Sequence, residues 1–137
     1  MIELSTTYLR ELATQTVFIS AFLGGFSASI LGTLILSKNE HKILKYVIVG
    51  ASLSAIAFIV CVLASTQIIM VTTPDYPFKL DKSELEFPRL VIGLSFYIGI
   101  LALMFVLSIS GWIYSKSVGI TTTILGIIGL ILIFMSM

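Results

Sequence analysis

Long stretches without a single charged residue divide the chain. Four of them, at about residues 16–36, 46–71, 90–114 and 118–137, contain no Asp, Glu, Lys, Arg or His. Crossing a hydrocarbon core of roughly 30 Å takes about 20 mostly apolar residues, because a helix rises about 1.5 Å per residue. Each stretch is therefore long enough to span. Their apolar positions are continuous, whereas the strands of a transmembrane barrel alternate polar and apolar, so helices are the structure that satisfies the backbone in lipid. The pattern predicts an all-α integral membrane protein of four transmembrane helices, with residues 1–137 as one four-helix domain in a cell membrane or inner membrane.

Composition agrees with the pattern: 58% of the 137 residues are hydrophobic and 11% are charged, and the mean hydropathy is +1.12, values outside the range of soluble domains. The first stretch is too long for the apolar region of a signal peptide, and Glu3 and Glu11 outweigh Arg10 before it, so it is expected to be retained. The connections are short, namely residues 1–15, 37–45, 72–89 and 115–116, and none can hold a soluble domain. Within 72–89, Pro74, Pro77 and Pro88 restrict the backbone, while Tyr76, Phe78 and Phe87 suit the headgroup region. Ser83 followed by Glu86 fits a helix-start box with Pro88 close behind, which predicts an interfacial lead-in to the third span.

Charge does not settle orientation. One side carries Arg10, Lys79, Lys82 and Arg89, the other Lys38, Lys42, Lys45 and Lys116, so a count of basic residues is tied. The flanks of the first span alone favour the 37–45 loop as cytoplasmic.

Several chemistries lack their residues. Coupled transporters need an ionisable group at membrane depth, and the spans hold none. His41 is the single histidine and lies in a loop, and Cys61 is the single cysteine and reads as a small packed core residue, so no metal or haem ligand set, disulfide or cofactor is expected. The span serines and threonines have no base at their depth, so no catalytic residues are expected and an enzyme is disfavoured. Asn39 heads no glycosylation acceptor. A net charge of +1 and no basic patch give no nucleic-acid partner.

The first span is the informative one. Ser20, Gly24, Ala28 and Gly32 recur every fourth residue, with Ala21, Gly25, Ser29 and Thr33 as a second row beside them, opposite Ile19, Leu23, Phe26, Ile30 and Leu34. Small rows permit close backbone approach. Ser20, Gly24, Ala28 and Gly32 are the expected helix-packing residues. Thr14, Phe18, Phe22, Gly25, Ser29 and Thr33 fall within an arc of about 100°, which Arg10 extends at the polar end. The small face can pack against neighbouring helices of the same chain, or part of it can line an axis in an oligomer.

Ser20 to Phe26 resembles the pore helix of the Orai calcium-channel pore subunits, four-span proteins whose first helices surround a central pore. Ser65-Thr66, Ile98-Gly99 with Trp112, and Thr121-Thr122-Thr123-Ile124 with Gly129-Leu130-Ile131 extend the resemblance to the other spans. It implies a homo-oligomer with the first helix innermost. The departures bear on function. Thr33 stands at the family's selectivity glutamate, Phe18 and Thr14 at its basic inner-pore residues, Val106 at its acidic residue in the third span and Ile127 at its hinge proline. Calcium selectivity is therefore not carried over.

The expected function is ion permeation through a homo-oligomer lined by Arg10, Thr14, Phe18, Phe22, Gly25, Phe26, Ser29 and Thr33. Phe22 and Phe26 would form an apolar constriction, and Ser29 and Thr33 an uncharged mouth. The expected partners are further copies of the chain and membrane lipid. The alternative is a non-catalytic anchor or accessory subunit partnered by other membrane subunits.

Overall fold

A computed structural model describes residues 5–37, 41–74, 76–77 and 82–136, with Lys82 and Glu84 as backbone only. Glu3, Lys38, Asn39, Phe78, Lys79 and Met137, which figured in the sequence reading, lie outside the described residues. Among the described residues, four helices are long and apolar enough to cross a membrane: α1 (Thr6–Leu36), α2 (Lys42–Val71), α3 (Glu86–Tyr114) and α4 (Lys116–Ser136). The chain is a multi-pass membrane protein.

The helices overrun the apolar stretches. Residues 6–15, expected to precede the first helix as an arm, are its first turns. Ser5 caps them, its Oγ accepting from the Tyr8 N–H at 3.3 Å, and Leu9 and Ala13 are buried, so the apolar stripe continues into the polar segment. Thirty-one helical residues rise about 46 Å, more than the hydrocarbon thickness, so polar turns project beyond it. The helix-start box is not realised as drawn: Ser83 lies within a 3₁₀ turn, Lys82–Leu85, and Leu85 is the residue before α3. Ser115 alone joins α3 to α4.

Helices pack in chain order, α1 on α2, α2 on α3 and α3 on α4. α1 meets α3 and α4 at most marginally, so the array is open and not a closed bundle. Half of the apolar window of α2 is buried, against 11% in α1 and α4, which makes α2 the central helix. The reason is written in α2 itself. Leu44, Val47, Ala51, Ser54, Phe58, Cys61, Ser65 and Ile68 are all buried and alternate three and four residues apart, the spacing of a left-handed seam. As α2 advances through Ser54, Phe58, Cys61 and Ile68, it meets α1 at Ser27, Gly24, Ser20 and Ala13. The two helices are antiparallel in one register.

Three successive positions of that seam touch both neighbours. Ser54 Oγ lies 2.9 Å from Ser27 Oγ of α1 and donates to the Gly99 carbonyl of α3 at 3.0 Å. Phe58, fully buried, sits between Gly24 and Gly99: a Cβ on Gly24 would lie 3.1 Å from Phe58 Cβ, and one on Gly99 2.9 Å from its ring. Its ring also meets Phe96 edge-on at 6.3 Å between centroids. Cys61 Sγ accepts from Ser20 Oγ at 3.3 Å and lies 3.7 Å from the Ile92 carbonyl. By contrast, Ser65 Oγ is buried with no partner among the described residues.

These contacts predict the effect of single methyl and hydroxyl changes. Gly99→Ala should destabilise the fold, since the new Cβ would lie 2.9 Å from the ring of the buried Phe58 and overpacking costs about 1–3 kcal/mol. Gly93→Ala, with nothing within 4 Å of its Cβ, should be neutral or stabilising. Ser54→Ala should cost about 0.6–1.7 kcal/mol, the range of interhelical hydrogen bonds in membrane proteins. Ser65→Ala should cost nothing or stabilise, because it removes a buried unpartnered hydroxyl. Unfolding of the four variants in mild detergent, followed by circular dichroism, checks the order.

Candidate functional site

The site is the face of α1 turned away from α2. Arg10, Thr14, Phe18, Phe22, Gly25, Phe26, Ser29 and Thr33 are all exposed on the single chain. Phe18 and Phe22 are 76% and 71% exposed and stand clear of every neighbour, while Phe26, at 46%, lies on the flank of the arc. Among the described residues, no other part of the chain buries this face.

The helix-packing residues divide. Ser20 and Gly24 are buried against α2, whereas Ala28 and Gly32 are exposed, and nothing lies within 4 Å of a Cβ built on Gly32. The row of four is therefore not the intrachain contact row. Four residues advance a helix by about 400°, about 40° past a full turn, so the row drifts by about 120° between Ser20 and Gly32. The observed contact instead follows Ala13, Ser20, Gly24 and Ser27 and then Leu31 and Leu34, which pack at the Val47 cluster. Sequence reasoning missed Ser27 because its pattern was drawn at every fourth residue. An alternating three-and-four template would have found it.

The hydroxyls of the exposed face donate inward. Thr14 Oγ1 donates to the Arg10 carbonyl at 2.8 Å, Ser29 Oγ to the Gly25 carbonyl at 2.9 Å and Thr33 Oγ1 to the Ser29 carbonyl at 2.9 Å. A hydroxyl has one donor and two acceptor lone pairs. With the proton committed to the helix backbone, each oxygen turns acceptor capacity outward. From Thr14 to Thr33 the face thus offers uncharged hydroxyl acceptors, with Arg10 as its one cation at the polar end.

The Ser27–Ser54 pair inside the chain has a different inventory. Two hydroxyl protons serve three contacts: Ser27 to the Leu23 carbonyl at 2.9 Å, Ser27 to Ser54, and Ser54 to the Gly99 carbonyl. One contact always lacks its proton. The pair therefore links α1 to α3 through α2 when Ser27 donates to Ser54 and Ser54 to Gly99, at the expense of the Leu23 contact.

No protein-family model, curated protein or solved structure matches this chain.

The residues that carry the Orai resemblance fall at defined places. Ile98 is exposed and Gly99 is packed under Phe58, while Trp112 Nε1 donates to Thr123 Oγ1 at 3.0 Å across the α3–α4 contact. Val106 is buried against Val47 and Ala51. Ile127 lies exposed within a helix that continues without a break from Lys116 to Ser136. His41 precedes the first turn of α2 and makes no side-chain cap bond.

The two halves of the small-residue row predict separable defects. Gly24→Leu should disturb the folding of the chain itself, because its side chain enters the α1–α2 seam at Phe58. Gly32→Leu should leave the chain's helicity and melting intact and alter only association between chains. Melting and particle mass of both variants, measured on the same preparations, distinguish the two effects; equal melting would remove Gly24 from the seam.

Proposed function

We propose that the chain is a subunit of a homo-oligomeric, channel-like membrane protein in which α1 helices face one another around an axis. The observation that carries this is the difference between the two ends of the helix array. α4 exposes Ile124, Ile127, Ile128, Ile131 and Leu132, bulky aliphatics suited to lipid tails. α1 exposes Gly25, Ala28, Ser29, Gly32 and Thr33 together with Phe18 and Phe22. A small, hydroxyl-bearing surface leaves little for lipid to pack against and permits close approach of another helix.

Placed around an axis, α1 would be innermost, α2 and α3 would form the intermediate layers and α4 the outermost. Outward-turned hydroxyl oxygens at Thr14, Ser29 and Thr33 would offer acceptors to water or to a cation. Phe22, with Phe18 one turn away and Phe26 at the flank, would form a constriction that closes by expelling water. Selection among cations would be weak, because the described face from Thr14 to Thr33 bears no carboxylate ring. The second reading, an anchoring subunit, is supported by the same exposed Ala28 and Gly32, which would seat a helix of a different chain as readily as a copy.

The test is mass in lipid nanodiscs followed by reversal potential under a salt gradient in planar bilayers. The wild type is expected to be oligomeric and to conduct. Thr33→Glu should shift the reversal potential towards cations, because a ring of carboxylates attracts them and repels anions. Thr33→Gln, uncharged and of similar size, should stay close to wild type. A monomer at every concentration would overturn the oligomer, and an oligomer that never conducts would favour anchoring.

A further inference from the structure

α1 and α3 both pack on α2 yet scarcely on each other, and this leaves an open cleft of about 350 Å³ between them near the N-terminal ends of both helices. Ile68 of α2 forms its floor. Leu9, Leu12 and Ala13 make the α1 wall, and Gly93 and Phe96 the α3 wall. Arg89 is the one charged side chain in the lining, and it makes no ion pair among the described residues. Glu86, a turn earlier, is exposed and outside the lining.

We propose that this cleft binds one anionic phospholipid, with Arg89 holding the phosphate and an acyl chain lying over Gly93 against Phe96. Three features fit that occupant together. The lining places a cation at the end nearest the membrane surface and mostly apolar side chains beyond it, the one deeper hydroxyl, Thr16, donating to the Leu12 carbonyl, and this is the order of groups in a lipid. From Arg89 to Phe96 the helix rises about 10 Å, within a single leaflet of a hydrocarbon core roughly 30 Å thick. Gly93 holds the cleft open, because a Cβ built there meets nothing within 4 Å. A free anion would use the guanidinium and leave the apolar walls bare, whereas a lipid uses both. A guanidinium with no ion pair among the described residues favours an anionic headgroup over a zwitterionic one.

Native mass spectrometry of the full chain in detergent, titrated with dioleoyl phosphatidylglycerol or dioleoyl phosphatidylcholine, tests the site. The wild type should retain one phosphatidylglycerol per chain in preference to phosphatidylcholine. Arg89→Gln should weaken phosphatidylglycerol binding by about fivefold, as loss of one basic contact to an anionic lipid does, and abolish the preference. Gly93→Leu, which fills the cleft without meeting protein atoms at its Cβ, should lose both lipids while its melting temperature is unchanged. Gly93→Ala should fall between Gly93→Leu and wild type, and it decides the matter if the leucine variant melts early. Lys116→Gln, at the other end of the helices, should bind as wild type.

Equal retention of the two lipids by wild type would overturn the proposal, as would unchanged binding in Arg89→Gln. Displacement of bound phosphatidylglycerol by inorganic phosphate at matching concentration would mark a free-anion site and overturn it equally.

Discussion

The contact on which the rest depends is Phe58 seated between Gly24 and Gly99. Lipid tails are as apolar as side chains, so burial from water does not drive these helices together, and close packing with interhelical hydrogen bonds must do so. The Phe58 ring needs an absent side chain on α3, which Gly99 supplies, and on the α1 side Gly24 leaves room for the Phe58 Cβ. The two glycines let all three helices approach closely at Phe58. Ser54 and Cys61 lie at the next seam positions on either side and contact both neighbours at that separation.

A central helix fastened on both sides determines the shape of the array. α2 spends its small and hydroxyl-bearing positions on α1 and α3, α3 turns its other side to α4, and the last contact is again made by glycine. A Cβ on Gly126 would collide with Ser108, and one on Gly111 with Thr122, while Thr122 Oγ1 donates to the Ser108 carbonyl at 2.9 Å. Nothing in the chain brings α4 back to α1. The array consequently has two dissimilar ends, and the open cleft between α1 and α3 is the other product of the same geometry, since two helices laid on one ridge diverge above it.

Much of this was legible in the sequence. Charge-free stretches of twenty or more residues located the spans because membrane thickness imposes a length that composition alone reveals. Their polar ends were misjudged: residues 6–15 continue α1 because Leu9 and Ala13 keep the buried stripe going, a signal diluted by Arg10, Glu11 and Gln15 around them. Ser20 and Gly24 were legible as packing residues, and Ala28 and Gly32 were not separable from them, because a row of every fourth residue and a seam of alternating threes and fours coincide for about one turn before diverging. The central position of α2 was harder to see. Its seam is mixed in size, with Phe58 among alanines and serines, and its partners on α3 are main-chain carbonyls that carry no mark in the sequence. The cleft was invisible for a related reason, since its lining comes from three helices and its defining feature at Gly93 is empty space.

The hydroxyls on the two faces of α1 illustrate how position decides the chemistry of the same group. Ser20 and Ser27, turned inward, reach α2 at Cys61 and Ser54, Ser27 also lying within bonding distance of its own Leu23 carbonyl, and hold two helices in register. Ser29 and Thr33, turned outward, close their protons onto their own helix and keep lone pairs for whatever lies beyond. In water such oxygens would be saturated and inconsequential. In a bilayer an exposed acceptor without a donor is costly, so this face is poorly matched to lipid and well matched to water, a cation or a donor on another helix. Each of those three partners requires something other than a hydrocarbon chain beside α1. In the oligomer proposed above, the stretch from Thr14 to Thr33 is the side of the molecule on which another chain or water continues.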